Sequence, residues 1–235
     1  LAANIWVNPA EFNGTPGVDD DGNGYVDDIH GADTVYPDGD PMDDHGHGTH
    51  VAGIIAAQAD NGIGGVGVAY NVQVMPIKAA QYSGVLASSD IAEAIYYAVA
   101  KGADVINMSF GGYARSTVEE DALAVAFGQS VLVAAAGNDS QVNPPCPFGV
   151  GMYPADYNWV LGVMASTQTP NEYGSYLAIF SNYDCTPHDS HEYELLAPGV
   201  EIWSTLPGNQ YAAWSGTSMS APVVAGIAAL ARTKW

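Results

Sequence analysis

The sequence predicts an α/β domain of three layers, a mostly parallel sheet flanked by helices. Short β-branched apolar runs recur at Val72–Lys78, Ala103–Met108, Val131–Ala135 and Trp159–Met164, and strands buried on both faces read as continuous runs of this kind. Helical patterns lie between them, and alternating strands and helices lead to a parallel sheet covered by helices. Gly-rich turns fall where these runs end, and in such sheets reactive groups gather at the carboxyl ends of the strands.

Each element has its own signature. From Asp90 to Lys101, the residues Ile91, Ala94, Ile95, Ala98 and Val99 make one apolar helical face. Asp90 and Glu93 have capping-box spacing, and Gly102 suits the position just past the helix. Thr117–Phe127 forms a second helix. No repeat or linker interrupts the chain, so its 235 residues, 48% of them hydrophobic, read as one domain over 1–235.

Charge narrows the partners. Five Lys+Arg against 26 Asp+Glu give a net charge of −21, which repels nucleic-acid phosphates. No stretch reaches the roughly 18 apolar residues of a membrane span. Neither nucleic acid nor membrane is therefore expected as a partner. Ten of the aspartates fall between Asp19 and Asp44. Their regular Gly and Asn punctuation favours cation binding, with a merely solvated acidic face as the alternative. Asp19-x-Asp21-x-Asn23-Gly24 matches the first half of an EF-hand loop. His30 stands where that loop's closing acid belongs, so Asp27 or Asp28 must complete the shell.

Three segments carry chemistry: His47-Gly48-Thr49-His50 entering an apolar helix, Ala134-Ala135-Ala136-Gly137-Asn138 after a strand, and Gly216-Thr217-Ser218-Met219-Ser220-Ala221-Pro222 opening the last helix. Alone, each has a local explanation as a cap or a turn. Together, in this order and with Ser109-Phe110-Gly111-Gly112 between them, they resemble the subtilisin-like serine peptidase family. The resemblance implies a serine endopeptidase with His47 as general base, Ser218 as nucleophile and Asn138 as oxyanion donor. His50 is then structural. A rival use of His45, His47 and His50 with Asp43 or Asp44, as a transition-metal site, lacks the HExxH-type spacing.

The resemblance also implies a peptide or protein substrate lying as an added strand between Gly84-Val85-Leu86 and Ser109-Phe110-Gly111. Its first specificity pocket is walled by Ala134, Ala135, Ala136 and Gly137 and by Ser109–Gly112, with Met152 near the base. No wall residue is charged, so an apolar preference follows. Calcium is the expected structural ion, at Asp19, Asp21, Asn23 and Asp28, at a second loop of Asp33, Asp38 and Asp40, and at Asn61 in Asp60-Asn61-Gly62-Ile63-Gly64-Gly65. Secretion and a precursor with a propeptide are expected on the same ground. Cys146 and Cys185 could be bonded or free, since spacing alone does not decide their reach.

One member of the expected triad has no counterpart. The family's aspartate sits on a first strand that this chain does not contain, and every Asp before His47 lies in an acidic loop. The expectation is a domain incomplete at both ends and nearly inactive as it stands. The alternative is an inactive subtilase-like protein that binds calcium or peptide.

Overall fold

A computed structural model describes every residue except 141, 144–150, 171–173, 185–192 and 234–235. The expected Cys146 and Cys185 lie outside the described residues. In chain order the elements are α1 (Pro9–Phe12), β1 (Ala32–Asp33), α2 (His47–Ala56), β2 (Ile77–Lys78), α3 (Ser88–Ala100), β3 (Val105–Met108) and α4 (Thr117–Phe127). There follow β4 (Val131–Ala135), β5 (Val142–Asn143), β6 (Val160–Ser166), β7 (Tyr183–Asp184), β8 (Leu195–Pro198), β9 (Ile202–Leu206), β10 (Gln210–Trp214) and α5 (Thr217–Arg232).

The core sheet has the order β3-β4-β6-β8, with every pairing parallel. Strand β4 explains the layering. Leu132, Ala134 and Ala136 point into a cluster with Ile91, Ile95 and Leu123 of α3 and α4. Val133 and Ala135 point the other way, into a cluster with Ala221, Val224 and Ala225 of α5. Successive side chains of a strand alternate in direction, so an apolar run must be covered twice. Three layers result, as the sequence implies.

The helix Thr117–Phe127 and the strand Val131–Ala135 fall where the sequence puts them. Gly102 follows α3 with φ +78°, a conformation glycine adopts without steric cost. Two expectations change. The start of α3 is Ser88, with Ala87 as N-cap and no side-chain cap, so the Asp90/Glu93 capping box does not form. Glu93 instead accepts the Tyr25 hydroxyl at 3.3 Å. The run Val72–Lys78 shortens to a parallel bridge between Val74 and Ile5 and a two-residue pairing of Ile77–Lys78 with Ala32–Asp33. The antiparallel pair β9–β10, with Leu206 opposite Gln210, was not anticipated.

Candidate active site

The segment before α2 fixes His47. One oxygen of Asp43 accepts the His45 and Gly46 backbone N–H groups at 2.9 and 2.7 Å. The other accepts the Thr49 N–H at 2.7 Å and its hydroxyl at 2.6 Å. A carboxylate here satisfies donors that a helix start leaves open and complements the helix dipole. Burial works against the Asp43 charge, but the hydrogen bonds from Thr49, Gly46 and His45 outweigh it and hold the carboxyl below its usual range. His47 is the first residue of α2. Burial, then the neighbouring His45, holds its imidazole below the ordinary histidine value, with Asp43 pulling weakly the other way. The rings of His45 and His47 are 6.4 Å apart.

Asn138 stands at the carboxyl end of β4. Its Oδ1 accepts the Thr217 N–H at 2.8 Å and the Thr217 hydroxyl at 3.0 Å. Its Nδ2 makes neither of those bonds and would stand 3.5 Å from a Cβ on Gly216. Gly137, at φ +104°, has no room for a side chain, because a Cβ would collide with the Asn182 amide. Buried Asn182 pins this turn: it donates to the Ala136 carbonyl at 2.9 Å and accepts the Asp139 N–H at 3.0 Å. Nothing in the sequence marks Asn182, for it lies far along the chain with no motif around it.

Ser218 is in the first turn of α5, after the N-cap Gly216. Its hydroxyl donates to the Ser109 carbonyl at 3.0 Å, and the Ser109 hydroxyl donates to the Ser218 carbonyl at 2.9 Å. His47, Asn138 and Ser218 line one open cavity of about 440 Å³, together with Ala213, Trp214, Ser215, Gly216 and Met219. An imidazole, a hydroxyl at a helix N-terminus and an amide are groups of the kinds that acyl transfer can use. Among the described residues no carboxylate hydrogen-bonds to the His47 ring.

The expected cleft residues converge in part. Gly112 pairs with Tyr153 through two backbone hydrogen bonds of 2.9 and 2.8 Å, which carries Met152 to the ends of β3 and β4. A Cβ on Gly111 would stand 3.0 Å from Met152 Cγ, and one on Gly137 would stand 3.1 Å from its Cε. Phe110, Leu86 and Met152 pack against the same core cluster. Ala135 and Ala136 are buried in the sheet and offer only backbone. Val85 is exposed, and Gly84 lies near His45, whose Nε2 would be 4.0 Å from a Cβ there.

The acidic residues gather differently from the sequence reading. Oxygens of Glu11, Asp21 and Asp28 lie within 4.8 Å of one another, the only such group among the described residues. Glu11, on α1, was missed. Asp19 instead accepts the Gly22, Asn23 and Gly24 N–H groups, and Asn23 bridges Asp28 and Tyr25. Lys101 reaches into the group, paired with Asp21 and 3.4 Å from Asp28. Burial opposes the Asp21 charge, yet bonds from Lys101 and Asn8 hold its carboxyl below the usual range. The second loop is divided. Asp33 pairs with Lys78 at 3.3 Å, while Asp38 and Asp40 cap the turn N–H groups of Asp40 and Met42. Asn61 accepts the Ile63 N–H at 2.9 Å, and its loop holds no cluster of three acidic ligands among the described residues.

The molecule is thus a layered α/β protein in which His47, Asn138 and Ser218 line one cavity. The sequence model of the subtilase family matches residues 7–235, and the chain belongs to that family. It is 44% identical over 203 residues to a thermophilic serine proteinase of Bacillus sp. (strain AK1), covering 86% of this chain and 46% of that one. To Subtilisin DY of Bacillus licheniformis it is 41% identical, over 88% of this chain and 70% of the relative. To Subtilisin-like protease 1 of Plasmodium vivax it is 37% identical, over 99% of this chain and 38% of the relative. The chain thus spans about half or less of two of these three relatives. The crystal structure of a cold adapted subtilisin-like serine proteinase superposes with a TM-score of 0.72 at 31% identity, covering 87% of this chain and 67% of that one.

Proposed function

We propose that this protein is a serine endopeptidase. The observation that carries the reading is that His47, Asn138 and Ser218, from three distant parts of the chain, wall one cavity. In the reaction His47 takes the Ser218 proton as Oγ attacks the substrate carbonyl, and an acyl-enzyme forms as the amine leaves with that proton. The tetrahedral oxyanion draws hydrogen bonds from Asn138 Nδ2 and from backbone N–H at the start of α5, where the helix dipole favours negative charge.

The substrate is a peptide or protein segment, extended between Gly84–Leu86 and Ser109–Gly111. Met152 narrows the pocket between its two Gly-lined walls, so a small apolar residue is favoured before the scissile bond. Met152→Gly should turn the preference towards phenylalanine or leucine by at least about tenfold, since one to three methylenes of fit are worth 1–3 kcal/mol each. An unchanged preference across a panel of quenched peptides would remove Met152 from the pocket. Hydrolysis of those peptides, lost in Ser218→Ala, tests the reading as a whole.

Calcium belongs to the proposal as a structural ion in an extracellular setting. The hard oxygen donors of Glu11, Asp21 and Asp28 suit it, and it would neutralise their mutual repulsion. Asp19 and Asn23 shape the loop around them. An ion entering there must displace the Lys101 ammonium.

One observation favours a second reading, a non-catalytic subtilase-like binding protein. No described carboxylate holds the His47 ring, and disabling that partner costs about 10⁴ in turnover in enzymes of this mechanism. Retention of base, nucleophile and oxyanion donor together supports the first reading. Turnover below detection in every form of the protein would favour the second.

A further inference from the structure

One aromatic ring meets both histidines of α2. Trp214 ends β10, opposite Ile202 of β9. Its indole stacks on the fully buried His50 ring at 4.6 Å, with the planes 8° apart. His50 Nε2 lies 3.1 Å from the Ala212 carbonyl, on the same strand. Strand pairing and the imidazole contact together therefore fix the indole plane. The His47 ring, one turn before His50, lies nearly parallel to that indole, at 21° and 6.3 Å, and both line the cavity with Ser218.

We propose that Trp214 is a positioning residue for the general base, orienting the His47 ring by stacking and stabilising the imidazolium formed as Ser218 gives up its proton. The proposal rests on the peptidase reading. An indole face is negative and attracts a cation held near 6 Å from its centroid, more strongly than tyrosine or phenylalanine does. A neutral imidazole gains little from the same face. The benefit therefore falls on the charged transition state rather than on substrate binding, and appears in kcat rather than KM.

The surroundings leave this role open. Asp43, His45 and His50 face His47 from its own helix and the loop before it. The oxygens of Asp43 are engaged by His45, Gly46 and Thr49. Residues 210–219, across the cavity, contain no Asp, Glu, Lys or Arg, and neither does the segment 79–89 beside His45.

The test compares wild type, Trp214→Phe and Trp214→Leu. In Trp214→Leu, kcat should fall several-fold with KM within about twofold. Losing a partner of the imidazolium favours the neutral ring, so the acid limb of kcat should move down by about half a pH unit. Phenylalanine should restore most of both. Titration of the His47 Cε1–H signal by NMR in Ser218→Ala, with and without Trp214→Leu, reads the same change without turnover. That arm still decides the proposal if the peptidase reading fails. Should Trp214→Leu not fold, fluorinated tryptophan, which withdraws π density at nearly constant shape, should lower the His47 midpoint as fluorines are added. An unmoved midpoint in the titration, or a change confined to KM, would overturn the proposal.

Discussion

Ser109 and Ser218 hold each other: each hydroxyl donates to the other's carbonyl, at 2.9 and 3.0 Å. The exchange ties the end of β3 to the first turn of α5, and Asn107 Nδ2 supports it from 2.9 Å. Ser109→Ala removes one of these bonds and strands two groups that used it. It should cost about 1–3 kcal/mol in denaturant unfolding, the range for a buried polar group left without a partner. Ser218→Ala removes only the outward bond and should cost less. Equal stability of Ser109→Ala and wild type would contradict the coupling.

Asn138 accepts from Thr217 and is the proposed oxyanion donor, and one substitution separates the two roles. Asn138→Asp keeps the oxygen that accepts from Thr217 but replaces the Nδ2 donor with an acceptor. Thermal stability should change little, while kcat falls by at least roughly 10²–10³, a magnitude that belongs to a subtilisin lacking its oxyanion amide. KM should stay close to wild type. A mild loss of kcat alongside intact stability would leave Asn138 a structural residue only.

The acid limb of activity should lie below that of an ordinary imidazole, because burial and His45 disfavour the charged His47. In the proposed mechanism the neutral ring is the base, so activity should rise with pH through the His47 midpoint. A charge on His45, with its ring 6.4 Å away, opposes protonation of His47. In His45→Gln the limb should therefore move to higher pH, by about 0.5 unit at low salt from Coulomb's law in water. In 1 M salt the difference should nearly vanish. A shift to lower pH would contradict this electrostatic account.

Lys101 makes the acidic group a competition. In wild type, chelator should lower the melting temperature by roughly 5–10 °C if calcium binds near a hundred times its Kd, worth about 2.7 kcal/mol. Lys101→Met removes the built-in cation beside fully buried Asp28. Without calcium it should lose stability, by less than the roughly 3–5 kcal/mol of a buried charge left without a partner, because Asn8, Asn23 and Tyr97 still donate to Asp28. Calcium should restore most of that, and magnesium little, since it demands a tighter octahedral shell. A wild type indifferent to chelator, with Lys101→Met beyond rescue by calcium, would end the proposal.

Much of this was legible wherever the signal is local. The run Val131–Ala135 and the helix Thr117–Phe127 follow from composition over a few residues, and the motif residues around His47, Asn138 and Ser218 meet in one cavity. What escaped the sequence depends on distant partners. Glu11 joins the acidic group only because the following loop folds back so that Asp20, Asp21 and Asp27 donate backbone N–H groups to it. Asn182 matters through turns made some forty residues earlier. Trp214 gains its place from a hairpin whose strands, Ile-Trp-Ser-Thr-Leu and Gln-Tyr-Ala-Ala-Trp, carry no regular apolar alternation. The acid pair Asp90/Glu93 had the right spacing for a cap, but tertiary contacts of Tyr25 claimed Glu93.

If His47 activates Ser218 within one cavity, covalent labelling of the serine should reveal it. The protein is treated with an organophosphorus fluoride at pH 8, and the adduct is located by peptide mass. A single adduct is expected on Ser218, absent in Ser218→Ala and formed at least about tenfold more slowly in His47→Ala, since an unassisted serine hydroxyl is a poor nucleophile. An unlabelled Ser218, or labelling at the same rate without His47, would contradict it.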